Sequence, residues 1–133
     1  MTAERLKSMC LAFNGAGEEF PFARNPELST FKVGGKIFAF TVLTDPLPLR
    51  VSLKCDPELA VRLRADHPAI VGGWHLNKRH WNTVTLDGSL PESMVRDMIE
   101  DSYDLIVAAL PKLVRLKLDW PGREAGRDTG RKA

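Results

Sequence analysis

Only two cysteines, one tyrosine and three histidines are spread over 133 residues, and each scarcity closes off a class of explanation. Cys10 and Cys55 form no CxxC pair and no zinc-type spacing, so the chain carries neither a disulfide framework nor a metal knuckle. Both read as reduced, buried, small hydrophobes. His67, His75 and His80 are separated by eight and then five positions, which puts no pair one helical turn apart as a helical zinc site needs. No Gly-x-Ser-x-Gly elbow occurs, and no Cys–His arrangement has a third group to orient it. Gly34-Gly35-Lys36 lacks the leading glycine and the following helix of a phosphate loop. Nothing therefore nominates a reaction, a metal or a cofactor. Long apolar runs are missing too, and Met1 to Lys7 alternate charged with apolar residues rather than forming a secretory signal. The expectation is a cytoplasmic, non-enzymatic protein.

Charge is present but unevenly placed. The chain has a formal net charge of +2. Residues 112–133 hold seven bases against three acids, a net of +4, which leaves −2 for residues 1–111. A nucleic-acid-binding domain built from residues 1–111 therefore needs a local basic stripe that overrides its own total. The last stretch, rich in glycine and charge and almost free of apolar residues after Trp120, reads as a disordered basic tail over 112–133. The rest has the size of one domain, residues 1–111.

Periodicity supplies the elements. Leu6, Met9, Cys10 and Phe13 repeat at helical spacing behind Thr2 as a cap. Phe31 and Val33 alternate with Lys32, and Gly34-Gly35 then leads into the run 36–43, a hairpin with a two-residue turn. Residues 49–55 alternate again, with Val51, Leu53 and Cys55 inward and Arg50, Ser52 and Lys54 outward. Asp56-Pro57 opens a second helix buried on Leu59, Ala60 and Leu63. Two short extended pieces follow, 74–76 and 81–86, joined by the polar connector 77–80; in the second, Val84 and Leu86 face away from Trp81, Thr83 and Thr85. Ser89 to Glu92 reads as a capping box opening a last helix. That helix buries Val95, Met98, Ile99, Ser102, Tyr103 and Ile106 and leaves Asp97, Glu100, Asp101 and Asp104 in solvent. The order α-β-β-β-α-β-β-α predicts an α+β two-layer sandwich, an antiparallel sheet with helices on one face and the other face open.

Six stretches carry a family resemblance: Cys10-Leu11-Ala12, Glu18 to Phe22, Phe31 to Ala39, Leu53 to Pro57, His75 to Val84, and Ser102 to Val107. The most specific is Leu76-Asn77-Lys78-Arg79-His80-Trp81. On these residues the chain resembles the MmcQ/YjbR-like family over residues 10–111. The resemblance implies the same helix, three-strand, helix, two-strand, helix sandwich, a double-wing arrangement shaped like secretion chaperones. It also implies DNA binding.

The residue chemistry can be set beside that implication. His75, Asn77, Lys78, Arg79, His80 and Trp81 interleave cations with aromatics, a pattern suited to phosphates and stacked bases. Lys32, Lys36 and Lys54 extend the patch from the hairpin wing, although lysines on strands also serve simply to discourage edge pairing. The expected partner is DNA, held by the basic-aromatic loop and the wing. The alternative is a protein-interaction or homodimerising domain that uses the open sheet face around Trp81, Thr83 and Thr85. An enzyme, third in order, would need a pocket around His75 or His80.

Overall fold

The computed structural model describes residues 1–44, 48–73 and 76–120. Helix α1 (Ala3–Leu11) starts where the Thr2 hydroxyl accepts a 3.0 Å hydrogen bond from the Arg5 amide, satisfying one of the free amides of the first turn. Strands β1 (Gly17–Glu19), β2 (Leu28–Val33), β3 (Lys36–Val42) and β4 (Arg50–Lys54) follow, then α2 (Pro57–Asp66), β5 (Ile70–Gly72), β6 (Trp81–Thr85), α3 (Glu92–Ala108) and α4 (Lys112–Lys117). The strands form one antiparallel sheet in the order β1-β2-β3-β4-β6-β5. The chain is thus the expected α+β two-layer sandwich.

Alternation sorts the sheet into two faces. Phe31, Ala39, Leu53 and Val51 occupy paired positions and are buried beneath Leu6, Ile99 and Tyr103. Thr30, Phe40, Ser52 and Thr83, also paired in series, lie on the opposite face. One irregularity breaks the pattern. Phe31 pairs with Ala39 while Lys32 pairs with Ile37, so Phe38 is an extra residue in β3. Such a bulge re-aims a side chain. Phe38 turns inward and is fully buried, edge-on to Tyr103 at 5.5 Å and to Phe13 at 6.3 Å. Ser102 of α3 locks the bulge: its hydroxyl donates to the Phe38 carbonyl at 2.5 Å and accepts the Lys54 amide at 2.9 Å.

The hairpin turn behaves as its glycines require. Gly34 and Gly35 have φ of 56° and 80°, the left-handed pair of a two-residue turn whose twist suits the strands. A Cβ on Gly34 would come within 2.6 Å of the Leu110 side chain, so the turn also packs against the end of α3.

Several expectations give way to tertiary contacts. An edge strand that the expected order lacks, β1 at Gly17–Glu19, pairs with β2 and is stitched on by the Ser29 hydroxyl to Glu18 (2.5 Å) and the Thr30 hydroxyl to the Glu19 carbonyl (2.9 Å). A strand that the sequence reading does not place lies at Ile70–Gly72, paired with Val84 to Asn82, while most of the strand expected at 74–76 lies outside the described residues. Gly72, which reads locally as a breaker, belongs to that edge strand because the Lys78 stem and the Arg64 guanidinium pass over it. A Cβ there would lie 3.0 and 3.1 Å from them. Trp74 and His75 lie outside the described residues. The capping box does not form. Pro91 takes the cap position without a side-chain bond, the Ser89 amide donates to Asp87, and Arg5 of α1 holds the Glu92 carboxylate at 2.6 Å.

Part of the stretch expected as tail is helical. Residues 112–117 form α4, and Val114, Leu118 and Trp120 pack against the core. The rest of the expected disordered tail, 121–133, lies outside the described residues. Trp120 in turn changes the last helix: its indole N–H donates to Asp104 at 3.1 Å, and Asp104 is buried at 8% exposure instead of standing in solvent. Glu100 and Asp101 are half-buried and Asp97 is exposed. No helix among the described residues is long and apolar enough to cross a membrane.

Candidate functional site

The sheet carries two adjoining hollows, one on the face that the helices leave uncovered and one reaching from that face to the hairpin end beside α3. The first, of about 450 Å³, is floored by Phe40, Ser52 and Thr83 and walled by Phe22, Leu28 and Leu76. Local turns build its lid. The Asn25 amide donates to the Phe22 carbonyl and the Leu28 amide to that of Asn25, each at 3.0 Å. The 22–28 segment is thereby folded back so that Phe22 stacks beside Phe40, with ring centres 6.4 Å apart. The Ser52 and Thr83 hydroxyls meet at 2.8 Å across β4 and β6. Asn25, Glu27 and Arg50 supply polar groups around the apolar wall.

The second hollow, of about 510 Å³, lies toward the Gly34-Gly35 hairpin. Lys32, Lys36 and Lys54 converge there with Ile37, Phe40 and Trp81. Phe40 is a wall of both hollows and meets Trp81 edge-on at 5.3 Å. Lys54 and Trp81 face each other across β4 and β6. Lys32 also reaches Glu19 at 3.4 Å, a long and exposed ion pair of small energetic weight. Among the described residues neither Lys36 nor Lys54 has a carboxylate within ion-pair distance. The carbonyl end of α3 borders this hollow and would repel anions through its partial negative charge. The Arg115 guanidinium offsets that by donating to the Ala108 carbonyl at 3.1 Å.

The sequence places nine residues in one basic-aromatic patch, and the fold divides them. Lys32, Lys36, Lys54 and Trp81 come together as described. Lys78 and Arg79 instead line a shallow surface beside α2 with Arg62 and Arg64, including no residue of the lysine hollow. Asn77 is the cause. Its side chain accepts the Arg79 amide at 2.9 Å, and its carbonyl accepts those of His80 and Trp81 at 3.1 and 2.9 Å, closing a tight turn that carries Lys78 toward α2. There the Lys78 ammonium donates to the Gly73 carbonyl at 3.2 Å, and the Lys78 carbonyl accepts from Arg64 at 2.7 Å. His80 is half-buried, and its carbonyl takes the Cys55 amide at 2.7 Å. Much of the Asn-Lys-Arg-His string thus closes a turn and ties it to α2. His75 lies outside the described residues. Phe22, Phe40 and Ser52 are site residues that the sequence reading does not name, whereas Thr83 belongs to the open face of the alternative reading. Strand alternation is the available signal for Phe40 and Ser52, and nothing local marks Phe22.

Titration offers little further chemistry. Burial, then Glu18, pushes the Cys10 thiol up to about 12, and burial, then Asp101 and Asp56, pushes Cys55 up to about 11. Both remain thiols at neutral pH and supply no thiolate nucleophile. Glu18 is partly desolvated, which raises its pKa, but the Ser29 hydroxyl and the Lys7 ammonium at 2.9 Å overrule that and hold it below the ordinary range.

Comparison with known proteins places the chain. Residues 11–105 match the model of the YjbR family. The chain is 39% identical over 112 residues to Uncharacterized protein YjbR of Escherichia coli K12, covering 84% of this chain and 92% of that one. It is 36% identical over 99 residues to Uncharacterized protein YbdF of Escherichia coli O157:H7, covering 71% and 80%. Among solved structures, the Deinococcus radiodurans protein DR2400 superposes with a TM-score of 0.83 at 40% identity over 94% of both chains. A Pseudomonas syringae protein superposes with a TM-score of 0.68 at 26% identity, covering 79% of this chain and 98% of that one. With the same fold and matching residues along nearly all of its described length, the chain belongs to the YjbR family.

Proposed function

We propose that this protein is a non-enzymatic, cytoplasmic nucleic-acid-binding protein, and that it binds single-stranded nucleic acid on the open face of its sheet. The observation that carries this reading is the convergence of Lys32, Lys36 and Lys54 on one hollow walled by Phe40 and Trp81. Ammonium groups neutralise phosphates and release their counterions, while aromatic faces stack on any base. A hollow in a sheet face suits a flexible single strand better than a rigid duplex, which must be met in its grooves. The Lys78-Arg79 surface beside α2 serves at most as a flanking phosphate contact.

The reading is tested by fluorescence anisotropy of the full chain with a labelled short single strand and its duplex across a salt series. Tighter binding of the single strand is expected. Replacing Lys32, Lys36 and Lys54 together with alanine is expected to reduce the salt slope by about 2 units, at roughly 0.7 per phosphate contact. An unchanged slope in a folded triple variant would assign any affinity to the basic C-terminal residues and end this reading. A second reading, a protein-interaction or homodimerising domain, draws support from Leu113 and Leu116 on α4, which are 74% and 66% exposed. A dimer in sedimentation equilibrium that Leu113→Lys dissociates would favour it.

A further inference from the structure

The two hollows share Phe40 but differ in charge and polarity, and that difference divides a ligand into parts. The lysine hollow has three lysines and no acid among its lining residues. The Phe22–Phe40 cavity has Arg50 and Glu27 in its lining, so its formal charges cancel, and the remainder is largely apolar wall with hydroxyl and amide groups. A phosphate gains in the first and not in the second, where it would meet the Glu27 carboxylate. An uncharged planar ring gains in the second, through burial against phenylalanine and through hydrogen bonds that a base edge both donates and accepts.

We infer that the Phe22–Phe40 cavity receives one nucleobase of a bound single strand, extruded from the run of phosphates that lies along Lys32, Lys36 and Lys54. The inference rests on the nucleic-acid reading above and goes past it by giving the cavity an occupant. Phe22 is the residue that makes it testable. It is 39% exposed, sits on a turn rather than in the sheet, and stacks beside Phe40 across the cavity wall. A base can lie against either ring. Ser52 and Thr83 are bonded to each other at 2.8 Å and Thr83 is buried, so the half-buried Ser52 hydroxyl is the one of the pair that can meet a base edge.

The test compares a labelled short oligothymidylate with a strand of equal length whose central positions are abasic. The abasic strand keeps every phosphate and removes the rings. The wild-type full chain is expected to bind the abasic strand about tenfold or more weakly, the effect of losing one stacked base, with the same salt slope for both strands. Phe22→Ala is expected to erase that preference while leaving the salt slope and the melting temperature as they were. Because the strand comparison uses wild-type protein, no folding defect can obscure it. Equal affinity for the two strands would overturn the inference while leaving the nucleic-acid reading standing. So would a base preference that survives Phe22→Ala and disappears in Trp81→Ala, since the ring would then stack on the indole outside the cavity. Absence of salt-dependent binding to either strand would overturn both.

Discussion

The two faces of the sheet are made from alternate residues of the same strands, yet they are held in place by different physics. On the helix-covered face Phe31, Phe38, Val51, Leu53 and Val84 are buried almost completely. Removing apolar surface from water is what fixes them there. On the open face Phe40 and Trp81 are only half-buried, and Lys32 and Lys54 stand beside them, while Lys36, opposite Val33 in the register, borders the same hollow from the hairpin end. Nothing among the described residues covers that arrangement fully, so less of its side-chain area is removed from water. The comparison teaches that a single residue's step along a strand separates side chains fixed by burial from side chains that burial holds only in part.

The sharpest way to break that separation is to cut into the covered face. Phe38→Ala removes a fully buried ring at the bulge, and a loss of about 3–5 kcal/mol in chemical denaturation is expected. A loss under about 1 kcal/mol would mean that the bulge is not what organises the core. Ser102→Ala is next. It leaves the Phe38 carbonyl and the Lys54 amide without their shared partner, at an expected cost of about 1–3 kcal/mol. Because Lys54 belongs to the open face, this variant also tests whether the two faces communicate: strand affinity in the folded protein should fall along with stability.

On the open face the pattern should invert. Trp81→Ala is expected to weaken single-strand binding by about 1–3 kcal/mol, measured by anisotropy, with a stability change smaller than that of Phe38→Ala. Equal losses in both measurements would show that the indole is a core residue after all. The smallest expected effect is an acid one. Glu18 has a lowered folded pKa, so its contribution to stability is present above the ordinary glutamate pKa of about 4.3. The contribution fades as pH falls through the folded value, because the unfolded chain then binds the proton more readily. Glu18→Gln should therefore lower the melting temperature most at neutral pH, where the contribution is fully present, and least below the folded pKa, which flattens the acid limb of the profile.

Much of this was legible in the chain. Alternation of Val51 and Leu53 with Arg50, Ser52 and Lys54 predicts which side of β4 is covered, because successive strand residues point to opposite faces whatever surrounds them. Thr2 and Asp56 mark real helix starts, since a side-chain oxygen satisfying a free amide is a local event. Ser89 and Glu92 have the same local signature, but Arg5, 87 positions from Glu92, takes the carboxylate. The basic-aromatic string forms one patch only if neighbours in sequence are also neighbours on the surface. The Asn77 turn separates them.

The sequence by itself therefore determined the class of fold, the phase of its helices, the hairpin at Gly34-Gly35 and the existence of an open face. These follow from backbone geometry and from periods of two and 3.6 residues that act within a few positions. Only the tertiary structure decided that Phe38 leaves the alternation, that Asp104 is buried by Trp120, that β5 lies at Ile70–Gly72, and that three lysines from β2, β3 and β4 share a hollow with Trp81. Each of those depends on which distant groups pack together, and residue spacing alone does not specify such contacts.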